Sequence, residues 1–110
     1  MSLEERAATI NAKKPDLTAE VFLYPIEDGG RRSAIQPGYG CPCFSHKDKR
    51  ESGWDGWMQL GDREFAPGET RKVGFCFLSG EKAVRALEIS DVFYLWEGKI
   101  IGEATIIHNL

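Results

Sequence analysis

Past Pro15 the hydrophobicity of this chain changes from a helical period to an alternation of period two, and the alternation is broken repeatedly by turn residues. Residues 18–26 place Val21 and Leu23 on one face and Phe22, Tyr24 and Ile26 on the other. Glu27-Asp28-Gly29-Gly30 then supplies the chemistry of a tight reversal. Residues 33–36 read as a short extended piece, 41–49 as a strand with a charged end, and 54–60 as another. In 70–78, Val73, Phe75 and Phe77 share one face, while Lys72, Gly74 and Cys76 share the other. Residues 92–96 and 99–108 form a hairpin about Glu97-Gly98, and 81–87 reads as loop with at most one helical turn. Six or seven such runs without a sustained helical period predict an all-β sandwich or barrel. Closure into a barrel is favoured, because an open sheet carrying Phe75, Phe77, Phe93 and Leu95 would leave hydrophobic edges unpaired.

The segment before Pro15 differs. Ser2 followed by Glu5 is a capping box, Glu4 and Glu5 suit the positive end of a helix dipole, and Leu3, Ala7 and Ile10 make a thin apolar stripe. A helix this short is marginal alone, so it must dock on the body or fray. The expected organisation is a helical arm over residues 1–16 and a β-barrel domain over 17–110.

With 110 residues, 42% hydrophobic and 28% charged, the chain has material for one core. It has no apolar run of the ~20 residues that cross a bilayer and no secretory leader pattern, so the expected setting is the cytoplasm. The formal net charge of −3 disfavours DNA, but charge is unevenly placed. Arg31, Arg32, Lys47, Lys49 and Arg50 face a single acid, Asp48, across residues 31–50, a local net of +4. Trp54 and Trp57 follow directly, and large rings beside cations are the usual furniture of interfaces and base-stacking surfaces.

Catalytic chemistry has little to draw on. His46 and His108 have no neighbour in sequence that reads as a nucleophile–base pair, so no catalytic residue is expected. Cys41-Pro42-Cys43 near His46, with Cys76 elsewhere, is the strongest metal candidate. Its C-x-C spacing differs from the paired C-x₂-C of zinc sites, and alternation puts the two thiols on one face and His46 on the other. No metal or other cofactor is expected, and Cys43 and Cys76 read as small buried hydrophobes.

Ala19-Glu20-Val21, Glu27-Asp28-Gly29-Gly30-Arg31, Gly38-Tyr39 with Pro42, Pro67-Gly68-Glu69, and Phe93 with Glu97-Gly98 and Gly102 stand in an order and near-spacing that resembles the C-terminal β-barrel domain of elongation factor Tu. The resemblance covers about residues 17–108. It implies a closed, six-stranded antiparallel barrel without catalytic residues, which in that family packs on a GTP-binding domain and contacts aminoacyl-tRNA. Arg31 would match a residue near the RNA-facing surface, and Glu97 and Gly98 the start of a turn approaching the RNA backbone. No G-x-x-x-x-G-K-[ST] occurs, so the chain is not the GTPase. The family's Tyr-Arg-Pro-Gln-Phe is here Tyr39-Gly40-Cys41-Pro42-Cys43-Phe44. The loss of arginine and glutamine donors ranks RNA below protein as the expected partner.

The expected function is therefore a non-enzymatic binding module that recognises a protein through Arg31, Arg32, Lys47, Lys49, Arg50, Trp54, Trp57, Glu97 and Gly98. The alternatives are RNA binding in a translation-associated role, a small thiol or metal protein, and a homodimer through the same patch.

Overall fold

The computed structural model describes residues 2–48 and 53–108; Lys49 and Arg50 of the basic run lie outside them. Helix α1 (Leu3–Ala12) is followed by β1 (Leu17–Leu23), a one-turn 3-10 helix (Ile26–Asp28), β2 (Gly40–Phe44), β3 (Trp54–Gln59), β4 (Thr70–Phe77), α2 (Glu81–Glu88), β5 (Val92–Trp96) and β6 (Ile100–Ile107). The strands close into an antiparallel barrel in the order β1-β4-β3-β2-β5-β6, with β6 returning to pair with β1. The closed six-stranded architecture is as expected. The runs at 18–26 and 41–49 form shorter strands than their patterns suggest, and 33–36 contributes a single bridge, Ile35 to Phe65.

Alternation builds the interior. Ala19 and Val21 of β1, Val73 and Phe75 of β4, and Phe93 and Leu95 of β5 point inward and are buried. Phe75, Phe77 and Phe93 form the aromatic centre, with Phe75 and Phe93 edge to face at 5.1 Å and Phe75 and Phe77 stacked at 5.8 Å. Burying a side chain of this size contributes roughly 1.5–3 kcal/mol.

The two ends are closed differently. Where β1 finishes, Leu23 and the 66–69 turn exchange backbone hydrogen bonds, and the loops bearing Ile35 and Phe65 fold over that end. Arg71 fastens them: its guanidinium donates to the carbonyls of Leu60, Arg63 and Glu64 and lies 5.6 Å over the Phe65 ring. The opposite end is covered by α2, where a loop with at most one turn was expected from the sequence. Eight residues are helical because Ala83 and Leu87, one turn apart, both drop into the core, and Glu81 pairs with Arg85 on the outer side. The local propensity was adequate; the barrel mouth makes it persist.

The capping box at α1 forms as expected, with Ser2 Oγ accepting from Glu5 N–H and Glu5 accepting from Ser2 N–H. The helix docks on the outside of β3. Gln59 Nε2 donates to the carbonyls of Ile10 (2.9 Å) and Lys13 (2.7 Å), satisfying groups at the helix C-terminus. Asn11 exchanges two hydrogen bonds with the backbone of Gly61. Among the described residues no helix is long and apolar enough to cross a membrane.

Candidate functional site

The residues singled out from the sequence fall into three separate places. Parity decides this first. Trp54, Gly56 and Met58 of β3 face inward, and Trp54 packs on the core next to its cross-strand partner Cys43. Trp57 is three residues on and therefore projects from the opposite face, toward α1. Its indole lies across Gly40, where an added Cβ would come within 2.3 Å of Nε1, so a residue without a side chain is required there. The two tryptophans do not form one patch.

The second place is the rim at the end of β5. Arg31 Nε donates to both oxygens of Glu97 at 3.0 and 3.2 Å, and its Nη1 donates to the carbonyls of Ser33 and Ala34 and to Ser33 Oγ. The guanidinium also lies 5.0 Å over the Tyr39 ring, while the Tyr39 hydroxyl donates to Glu97. Gly98 supplies the left-handed residue of the turn that presents Glu97. Burial alone would raise the Glu97 carboxyl, but the hydrogen bonds from Tyr39 and Arg31 outweigh it and hold the acid below its ordinary range. Burial, then the neighbouring Cys41 and the bond to Glu97, push the Tyr39 phenol well up. Arg31 and Glu97 thus meet, with their donors and acceptors turned toward each other and toward the loop. Arg32 is exposed beside them.

The third place brings Lys47 together with residues that the sequence did not single out. Phe22, Glu103 and Tyr94 are successive cross-strand neighbours on β1, β6 and β5, all on the outer wall. Tyr24 continues the row beyond β1, edge-on to Phe22 at 5.8 Å, and its hydroxyl donates to Glu103 at 3.0 Å. Burial, followed by the Glu103 hydrogen bond, raises the Tyr24 phenol. The Lys47 ammonium lies over both tyrosine rings, 5.3 Å from Tyr94 and 5.9 Å from Tyr24. Trp96 meets the buried Phe44 of β2 edge to face at 6.3 Å. The signal was present in β1, where the alternation puts Phe22 and Tyr24 opposite Val21 and Leu23. An outer face bearing aromatic rings is the unusual feature of that run.

The thiols are dispersed. Cys41 and Cys43 share the inner face of β2, as alternation requires, and Cys43 Sγ donates to the Cys41 carbonyl at 3.7 Å. Cys76 sits on the outside of β4 beneath α1, near Gln59. Burial raises both Cys43 and Cys76, which favours the neutral thiol over the metal-binding thiolate. His46 is exposed, and no group of three or more His, Cys, Asp or Glu side chains converges among the described residues. His108 Nε2 lies 2.8 Å from Asp91 Oδ1 on the surface, where β6 returns to the turn preceding β5. Grooves of about 470, 240 and 180 Å³ all border α1: the largest lies between Ala7, Asn11, Pro37 and Gly61, and the smaller two flank Trp57 and Arg6. No family model and no curated protein matches this chain.

Proposed function

We propose that this chain is a non-enzymatic binding module that recognises another protein through the outer wall of its barrel. One observation carries the reading. The β1–β6–β5 wall presents Phe22, Tyr94 and Trp96 on strands, with Tyr24 just beyond β1 and edge-on to Phe22. Aromatic residues of this kind, with a polar handle at the tyrosine hydroxyls, are enriched at protein interfaces. The interior is filled by side chains, which leaves the wall as the working surface. A resemblance to the elongation factor Tu barrel supports the same mode of use, since that barrel meets its partners with its exterior. Three buried, unpaired cysteines suit a reducing cytoplasm.

Relative to the patch expected from the sequence, this surface retains Lys47 and replaces Trp54 and Trp57 with Phe22, Tyr24, Tyr94 and Trp96. RNA is the less favoured partner, because Arg31 would have to leave Glu97 and three oxygen acceptors to reach a phosphate.

The test is affinity capture on immobilised wild-type protein, Tyr94→Ala and Trp57→Ala, with each lysate divided into nuclease-treated and untreated halves. A protein retained after nuclease by wild type and by Trp57→Ala, but released by Tyr94→Ala, is the expected result. Retention that disappears with nuclease transfers the assignment to RNA. Retention equal on all three proteins rejects the aromatic wall.

A further inference from the structure

The arrangement around Lys47 points to the chemistry of the partner. Two electron-rich faces, Tyr24 and Tyr94, converge on one ammonium group, and the Glu103 carboxylate stands between them, in register with Tyr94 and bonded to the Tyr24 hydroxyl. A ring face attracts a cation through its quadrupole, most strongly when the cation sheds water, and a nearby carboxylate adds a full charge. Glu27 and Asp28 are exposed in the one-turn helix that begins two residues after Tyr24. The cation nearest in sequence, Arg31, spends its charge on Glu97. Tyr94 and Glu103 stand on strands, and Tyr24 directly follows β1 with its backbone N–H donating to the Ile101 carbonyl at 3.0 Å, whereas Lys47 reaches them from the loop between β2 and β3.

We propose that Tyr24, Tyr94 and Glu103 form a recognition site for a lysine side chain of the partner protein, and that Lys47 occupies this site in the free protein. The inference rests on the reading of the aromatic wall as a protein-binding surface and specifies what that wall selects. An incoming lysine displaces Lys47 and takes the same place over the two rings. Lys47 thus acts as an internal competitor: it keeps the site from standing open and sets a threshold that only a well-placed partner residue exceeds.

The site can be read directly by following the ring proton resonances of Tyr24 and Tyr94. The probes are the tripeptide acetyl-Gly-Lys-Gly-amide and its uncharged analogue with norleucine in place of lysine. Lys47→Ala and Lys47→Gln empty the site without touching the rings, and two variants guard against a folding defect in either. The lysine peptide is expected to shift both tyrosine resonances saturably in both variants, several-fold more than in wild type at equal concentration. The norleucine peptide should leave them in place. Glu103→Gln in the Lys47→Ala background keeps an acceptor for Tyr24 but removes the charge, and should weaken the response. Equal shifts with the two peptides, no saturable shift in either variant, or a wild-type response as large as the variants' overturns the proposal. Capture of a protein that depends on Tyr94, with no response to the lysine peptide, would remove the lysine site and leave protein recognition standing.

Discussion

The barrel carries outward-facing aromatic residues on two sides, and the two are treated in opposite ways. On the β3–β4 side, Trp57 and Cys76 are covered by α1, whose end is held by Gln59 and Asn11. On the β1–β6–β5 side, Phe22 is 36% exposed and Tyr94 is half-buried. Strand chemistry does not separate the two sides, since both alternate and both carry large rings. The arm separates them: a ten-residue helix has enough length to cover one side only, and its side-chain tethers are on β3 and the turn after it. Covered aromatics serve stability and uncovered ones are free to serve recognition.

Substitutions sharpen this contrast. The largest effect is expected in the core on which both sides stand: Phe75→Ala should lower unfolding free energy by about 3–5 kcal/mol. Tyr94→Ala on the open wall should lower it by less than about 1 kcal/mol, as for a surface site. Equilibrium denaturation measures both, and comparable losses would mean that the open wall is structural after all. Next comes the tether. Gln59→Ala removes two hydrogen bonds to helix carbonyls and should destabilise α1 by about 1–2 kcal/mol, seen as faster amide exchange in residues 6–12 with the barrel strands unchanged. If the helix amides keep their protection, Gln59 is not what holds the cover in place.

The smallest effect is electrostatic and lies at the rim. Glu97 is held below its ordinary range in the folded protein, so its contribution is present above the unfolded carboxylate value and is lost as pH falls through the folded one. The Glu97 side chain is 42% exposed, and screening keeps the effect at no more than about 1 kcal/mol. Glu97→Gln should flatten the acid limb of a stability–pH curve while leaving its neutral plateau slightly lower. An unchanged slope below pH 5, roughly where carboxylates begin to protonate, would locate the acid sensitivity in another group.

Much of this architecture is legible in period and punctuation. The capping box at Ser2 and Glu5, the shared inner face of Cys41 and Cys43, and the hairpin at Glu97-Gly98 follow from spacing, because each depends on residues a few positions apart. The candidate site was harder to read. Pairing Trp54 with Trp57 counted nearness along the chain as nearness in space, although an odd interval in a strand reverses the side chain. In the row of Phe22, Glu103 and Tyr94, the pairing of Phe22 with Glu103 joins β1 to β6 across most of the chain, through a register that closure of the barrel sets. The helix at Glu81–Glu88 is hidden in the sequence for a related reason: its apolar positions have nothing to bury against until the barrel mouth exists.

By itself the amino-acid order determined the inward set, the turns, the start of the arm and the absence of a phosphate-binding loop, because each is written in local stereochemistry and side-chain parity. Only the tertiary structure decided that Arg31 is spent on Glu97, that α1 covers Trp57, and that Lys47 meets two tyrosines on the open wall. Those outcomes depend on which strands become neighbours and at what offset. Ring closure settles both through the summed packing of the whole core, and no single segment encodes them.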